Sequence, residues 1–348
     1  MDTSTSLSAS NWNLLGHEWA VDMLRRHVAR GETRHAYLFS GPPGIGRRTL
    51  ALRLAQALNC ESPSAPGKPC LACHTCKQIE EMRHPDLAVI EPTIKDPDNP
   101  KELISSPNGE IRIQQIRDLQ KTINLKPYQS IYKVFVFLNF HQANAESCNA
   151  LLKTLEEAPP HAILLLTADN PEQLLPTIVS RCEILRLRPL PLESVSADLI
   201  ARGIEESRAR LLAHISGGRP GFARKLVDDT SLLEKREERL NDLQTILPAS
   251  RVEKFSYAEK LAKDKDAMRQ TILVWLSYWR DVLLRTAGAE TPLVNLDRNM
   301  EIEFLAGRLD LSSARKVVSD HESALEKMER NVNSRLLAEV LLMDLPKI

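Results

Sequence analysis

The sequence predicts an α/β domain built on a parallel sheet, then a small helical lid, then an all-helical C-terminal domain. Three observations predict this. Five short runs, at residues 36–39, 87–90, 134–138, 163–167 and 184–187, are rich in branched or aromatic residues and mostly apolar throughout. Helical patterns separate them, which is how strands covered on both faces read. After RPLP at 188–191 no further strand run occurs, and helical periodicity takes over. A glycine-rich loop, finally, joins the first run to a helical pattern that begins near Thr49. A chain of 348 residues exceeds one ordinary core, and its punctuation suggests three domains, residues 1–190, 191–246 and 247–348.

Taken in order, the N-terminal MDTSTSLSAS is polar and lacks a basic start followed by an apolar core, so it reads as a disordered leader rather than a signal peptide. No apolar run approaches the roughly 20 residues needed to span a bilayer, and a cytosolic location is expected. There, cysteines bind metal or sit buried more often than they form disulfides. The chain carries 46 basic and 46 acidic residues. That balance argues against a protein that coats DNA by itself, a local basic face aside.

The loop after the first strand reads GPPGIGRR, and its glycines Gly41, Gly44 and Gly46 have the spacing of a phosphate-binding loop. In a working loop a lysine bridges phosphates and a Ser or Thr hydroxyl binds Mg²⁺. Here those two places hold Arg47 and Arg48, and Thr49 is one residue out of register. A guanidinium binds phosphate oxygens well but is not a neutral replacement for an ammonium. The second half of such a site is a strand ending in acids, and the matching stretch KVFVFLNFH at 133–141 puts Leu138 and Asn139 there. A glycine turn that merely joins strand to helix is the plain alternative. With both halves recognisable and both lacking their chemistry, the expectation is a nucleotide-hydrolysing fold that no longer hydrolyses.

Cys60, Cys70, Cys73 and Cys76 follow the first helix with the spacing C-x9-C-x2-C-x2-C. Four thiolates so placed predict a closed tetrahedral zinc site in a module at 60–76, with no position left open for catalysis. Free or buried thiols and an iron–sulfur cluster are the alternatives. His74 lies among the ligands and is expected to face solvent, while Cys148 falls on an apolar face with Leu151, Leu152 and Leu155 and is expected in the core. Residues 93–110, with three prolines, read as a surface loop. Residues 192–229 hold about two helices and a GGRPG turn, and Trp275, Leu276, Trp279, Val282 and Leu283 form a helical stripe of the kind that is usually core.

An ordered set of motifs runs along nearly the whole chain: GHE at 16–18, HAYLFSG at 35–41, the four-cysteine insertion, HPDL at 84–87, IQQIR at 113–117, NALLKTLEE at 149–157, LPTIVSRC at 175–182 and NVNSRL at 331–336. Together they resemble the clamp-loader branch of the AAA+ superfamily. The resemblance implies a subunit of a five-membered ring, with gamma/tau motor subunits and a delta subunit as partners, that opens a sliding clamp and closes it around primed DNA. It implies that Arg181, in Ser180-Arg181-Cys182, projects to the γ-phosphate of ATP held by a neighbour, a role that fits the value of an arginine supplied in trans. A surface salt bridge is the plain alternative for Arg181. The helical C-terminus then corresponds to the ring's collar. Two positions depart from the family's motor subunits: Gly221 stands where a lid arginine senses ATP, with Arg219 two residues earlier, and Thr167 lies at a strand end with no acid at Leu138 to work with. ATP is therefore expected not to be bound, or not to be hydrolysed. Two other readings stand beside this one: an active motor-type ATPase in which Arg47 and Thr49 hold Mg-ATP, and a zinc-dependent DNA-binding protein using the fold as scaffold.

Overall fold

All five apolar runs are strands. The computed structural model describes residues 11–96, 99, 102–106, 109–330 and 332–346. The leader at 1–10 and Asn331 of the last motif lie outside the described residues. The strands are β1 (Ala36–Ser40), β2 (Leu87–Ile90), β5 (Lys133–Phe137), β6 (Ala162–Ala168) and β7 (Glu183–Arg186), and a short ribbon supplies β3 (Thr93–Lys95) and β4 (Leu103–Ser105). The five pair in parallel in the order β2-β5-β6-β1-β7, with Leu38 opposite Leu166 and Ile184, and Phe135 opposite Leu164. Parallel strands need crossovers, and helices supply them: α1 (Glu18–Arg30), α2 (Arg47–Asn59), α3 (His74–Glu80), α4 (Ile113–Ile123), α5 (Ala145–Glu156) and the single-turn α6 (Pro176–Val179).

The alternation of side chains explains why these strands read as continuous apolar runs. Tyr37, Phe39, Val134, Val136, Ile163 and Leu165 point to one face, where they meet Val21 and Leu24 of α1 and Leu50, Leu54 and Leu58 of α2. Leu38, Phe135, Phe137, Leu164 and Leu166 point to the other, against Ile116 and Leu119 of α4 and Cys148, Leu151 and Leu155 of α5. The central strands β1, β5 and β6 are thus buried on both sides, the edge strands β2 and β7 only in part, and Cys148 is a core residue, as expected.

Two local details differ from the sequence reading. Helix α2 begins at Arg47 rather than near Thr49, because Gly46, at φ +114°, is its N-cap and turns the chain directly into the helix. Within 93–110, the backbone groups of Thr93, Ile94 and Lys95 pair antiparallel with Ser105, Ile104 and Leu103, so part of the expected loop is a two-stranded ribbon.

Contacts divide the chain into two compact units, Met1–Leu190 with Arg219–Gly221, and Pro191–Gly218 with Phe222–Ile348. The second unit contains helices alone among its described residues: α7 (Leu192–Ala201), α8 (Glu206–Ser216), α9 (Pro220–Asp228, its first two residues grouped with the first unit), α10 (Ser231–Ile246), α11 (Arg251–Leu261), α12 (Lys265–Thr286), α13 (Asn299–Ala306), α14 (Leu311–Glu329) and α15 (Ser334–Met343). Residues 192–229 thus form three helices rather than about two, since Pro220 starts a helix where its missing N–H is harmless. The tryptophan stripe is core: Trp275, Leu276, Trp279 and Val282 of α12 are buried with Val317 and Met328 of α14 and Leu341 and Leu342 of α15.

His321 of α14 sits in this core, edge-on to Trp275, with Nδ1 2.7 Å from the Val317 carbonyl. Burial, only partly opposed by that hydrogen bond, pulls its pKa from 6.5 down to about 4. The unfolded imidazole takes its proton near pH 6.5 and the folded one near 4, so the unfolded state binds more protons between those values. Stability contributed by His321 is therefore present above pH 6.5 and is lost as pH falls through the window, by up to about 3 kcal/mol. Chemical denaturation from pH 7 to 4 is expected to show a steeper loss for the wild type than for His321→Gln; parallel curves would show that His321 is not the source.

Candidate functional site

The strand–loop–helix at 36–59 builds one end of the sheet. Gly41 follows β1 at φ +147°, and a Cβ there would meet the Leu187 carbonyl oxygen at 2.5 Å, so only glycine lets the loop pass so close to the end of β7. Its N–H donates to the carbonyls of Ala168 and Asp169, at 3.3 and 3.1 Å. Buried His17 supports the loop from below, Nε2 lying 3.2 Å from the Ile45 carbonyl; burial lowers its pKa, so it acts as a neutral donor.

The side chains that replace the phosphate chemistry have distinct fates. Arg47 is buried, 8% exposed, and its Nη1 lies 2.6 Å from Asp169 Oδ1. That contact is Coulombic, since Nη1 has no aligned hydrogen-bond acceptor among the described residues. Arg48 is exposed and directs Nη2 to Met82 Sδ at 3.2 Å. A cavity of about 550 Å³ opens beside the loop, bounded by Gly44, Gly46, Arg47, Arg48, Thr49, Glu91, Ser105, Ser106, Leu138, Asn139, Thr167 and Gly221. The structure therefore brings together most of the residues singled out around the nucleotide loop. Leu138 is buried, and Asn139 turns left-handed at φ +52° with its N–H donated to Thr167 Oγ1 at 2.8 Å. Thr167 thus lies within β6 and supports the neighbouring strand end. Gly221 donates its N–H to the Gly44 carbonyl at 2.8 Å, and a Cβ on it would fall 2.8 Å from the same oxygen. No side chain fits at Gly221 without moving the loop. Arg219 is partly buried, and that burial lowers its pKa.

The four cysteines converge. Their Sγ atoms lie within 4.8 Å of one another, and Cys70 and Cys76 are 4.0 Å apart. Tetrahedral zinc with Zn–S bonds of about 2.3 Å requires ligand sulfurs about 3.8 Å apart, so the donor set fits that metal. Backbone N–H groups already point at the sulfurs, from Cys70 to Cys60, from Ala72 and Cys73 to Cys70, and from Cys76 to Cys73. The Ala72 and Cys73 N–H groups pull the Cys70 thiol down to about 6, whereas burial pushes Cys60 and Cys76 up. A metal binding here displaces protons from those two. His74 is exposed and is not part of the cluster.

Arg181 stands apart from the cavity, between α6 and β7. Its side chain is 33% exposed and forms an ion pair with Glu156 at the end of α5, while Nη1 donates to the Thr177 carbonyl at 2.8 Å. Cys182 beside it is an inert thiol, pushed up to about 12 by burial.

Comparison with known proteins settles the family. The family model described as "DNA polymerase III, delta subunit" matches residues 16–191, and its C-terminal counterpart matches 230–347. DNA polymerase III subunit delta' of Pseudomonas aeruginosa is 30% identical over 334 residues, covering 94% of this chain and 95% of that protein. The chain belongs to the DNA polymerase III delta-prime family. Its likeness to subunit delta' of Bacillus subtilis is 28% over 327 residues, 93% of this chain and 94% of that one. Subunit tau of Escherichia coli is 33% identical over 187 residues, which is 54% of this delta-prime chain but 27% of tau.

The contacts of three residues of the delta-prime chain escaped the sequence reading, although Asp86 and Glu156 stand in the motifs HPDL and NALLKTLEE. Asp169 has a signal in hindsight: β1 pairs with β6, so whatever follows Ala168 must lie beside Gly41. Glu156, which holds Arg181, was read only as part of its motif, because its partner is 25 residues away. Asp86 accepts the N–H groups of Tyr128, Gln129 and Ser130 at 2.6, 2.9 and 3.0 Å. Burial opposes its ionisation, but those donors together keep its carboxyl below the usual range, and it pins the turn before β5.

Proposed function

We propose that this delta-prime chain is an ATP-silent subunit of the DNA polymerase III clamp loader, serving beside gamma/tau motor subunits and a delta subunit in a five-membered ring that loads a sliding clamp on primed DNA. The observation that carries the silent reading is the strand end after β5: Leu138 is buried and Asn139 is turned left-handed, so no carboxylate there holds Mg²⁺ or activates water. Phosphoryl transfer without either is left with positioning alone. In this reading Arg181 is the arginine donated to the ATP of a neighbour, and its place on a partly exposed corner away from the cavity supports that. Cys60, Cys70, Cys73 and Cys76 hold a structural zinc ion. Residues 191–246 serve as lid and 247–348 as collar, and the polymerase chemistry belongs to other chains. The setting is the cytoplasm; no described helix is long and apolar enough to cross a membrane.

A second reading, a motor-type ATPase, is favoured by the cavity of about 550 Å³ that Thr49 still lines. Calorimetric titration of the purified chain with ATP and Mg²⁺ separates the two. The expected result is no detectable heat and no turnover. Micromolar, magnesium-dependent binding with phosphate release would put the motor reading first.

A further inference from the structure

The loop that would take a phosphate already holds a negative charge of its own. Arg47, the cation of that loop, is more than nine-tenths buried and contacts the Asp169 carboxylate at 2.6 Å. Its Nη1 nonetheless lacks an aligned hydrogen-bond acceptor among the described residues, so the guanidinium is neutralised without being saturated. Asp169 is held to the loop by its backbone, since Gly41 N–H donates to its carbonyl at 3.1 Å. From the other side its own N–H donates to His141 Nδ1 at 3.4 Å, and His141 Nε2 lies 4.0 Å from Asp169 Oδ2. The carboxylate therefore sits between a buried guanidinium and the His141 ring, and Arg47 itself lines the cavity beside the glycines.

We propose that Asp169 is an internal counter-ion that closes this loop to polyphosphates, the Asp169 carboxylate taking on Arg47 the place an incoming phosphate would take. Two anions compete for one buried cation. The tethered carboxylate wins because its attachment to Gly41 and His141 removes the entropy cost a free anion bears. The inference rests on the silent reading above and adds a cause to it: silence toward hydrolysis comes from the missing acids, and silence toward binding comes from Asp169. Removing the carboxylate leaves Arg47 buried without a counter-charge, and a buried cation so exposed favours any anion that can reach it. The ligand class on release is a polyphosphate, held by Arg47 and the loop's N–H groups without a metal.

The test is calorimetric titration of the full chain with inorganic tripolyphosphate and with ATP, each with and without Mg²⁺. Wild type, Asp169→Asn and Asp169→Asn/Arg47→Ala are compared. Asp169→Asn is expected to bind at least about tenfold more tightly than wild type, with no requirement for Mg²⁺, and the double variant is expected to lose the gain. Asp169→Ser, smaller and also uncharged, carries the same expectation if the amide is not accommodated; melting curves verify that each variant is folded. Folded variants that bind no better than wild type overturn the counter-ion role while leaving the silent reading intact. A wild-type chain that binds tripolyphosphate as tightly as Asp169→Asn also overturns it. A wild-type chain that hydrolyses Mg-ATP overturns the silent reading instead.

Discussion

Arg181→Ala, placed in an assembled loader, is expected to lower turnover at the neighbouring nucleotide site about a thousandfold while leaving this chain folded. The size follows from the work an arginine supplied across an interface does on the charge that develops at a transferring phosphoryl group. The intact fold follows from what Arg181 does in the free chain. Its pair with Glu156 is partly exposed on both sides, and such surface pairs contribute about 0–1 kcal/mol. That same weakness lets Arg181 leave Glu156 at small cost when a γ-phosphate is presented. Arg181→Lys is expected to recover little, because an ammonium cannot reproduce the fork that grips two oxygens. The measurement is DNA-stimulated ATPase in a loader whose other motor sites are disabled, so that only the site served by this chain is read. Unchanged turnover with normal assembly on gel filtration would remove the trans role and leave Arg181 a surface ion pair.

How much of this was legible beforehand depends on the range of the interaction concerned. The strands were readable because the central three are buried on both faces, so burial wrote itself into consecutive residues such as Val134, Phe135, Val136 and Phe137, and the edge strands keep enough of that pattern in their partly buried residues. The helical end was readable because Trp275, Trp279 and Val282 repeat at the helical period on one buried face. The cysteine cluster was readable because three of its members, Cys70, Cys73 and Cys76, are separated by only two residues each and the turn between them brings the sulfurs together locally. The ribbon of Thr93–Lys95 with Leu103–Ser105 was missed because its strands are three residues long and half exposed, too short to show a period. The contacts of Asp169 and Glu156 were missed for a different reason. Each residue acts through an arginine brought close by tertiary packing, Asp169 on Arg47 through the β1–β6 pairing and Glu156 on Arg181 through the contact of α5 with α6, and nothing in the local residue pattern encodes a partner that distant. The glycine loop lies between these cases: its motif is local, but the fate of its cation is tertiary.

Removing the metal from the four-cysteine module is expected to destabilise the whole first unit, not the module alone. Among the described residues, three contacts tie the insertion to Trp12 and to helix α2. Trp12 Nε1 donates to the Gly67 carbonyl at 3.1 Å, Gln56 Nε2 on α2 donates to the Cys76 carbonyl at 2.7 Å, and Arg53 of α2 pairs with Glu80 of α3. Cys76 and Ile79 are wholly buried beneath them. Loss of the ion frees four sulfurs and unpins α3, leaving Gln56 and Arg53, buried on α2 and bonded to each other, without the Cys76 carbonyl and the Glu80 carboxylate that complete their hydrogen bonding. Buried polar groups stripped of partners cost about 1–3 kcal/mol each, so a loss of roughly 3 kcal/mol from the unit is the conservative expectation, or about 6–12 °C in Tm. Native purification should yield one zinc ion per chain, and a strong chelator or Cys76→Ser should produce that drop in Tm together with loss of the metal. His74→Ala should change neither, since His74 faces solvent. A chain that is purified without chelator under reducing conditions and contains no metal, yet melts as the chelated protein does, would show that the cysteines are structural thiols and that these three contacts alone hold the insertion.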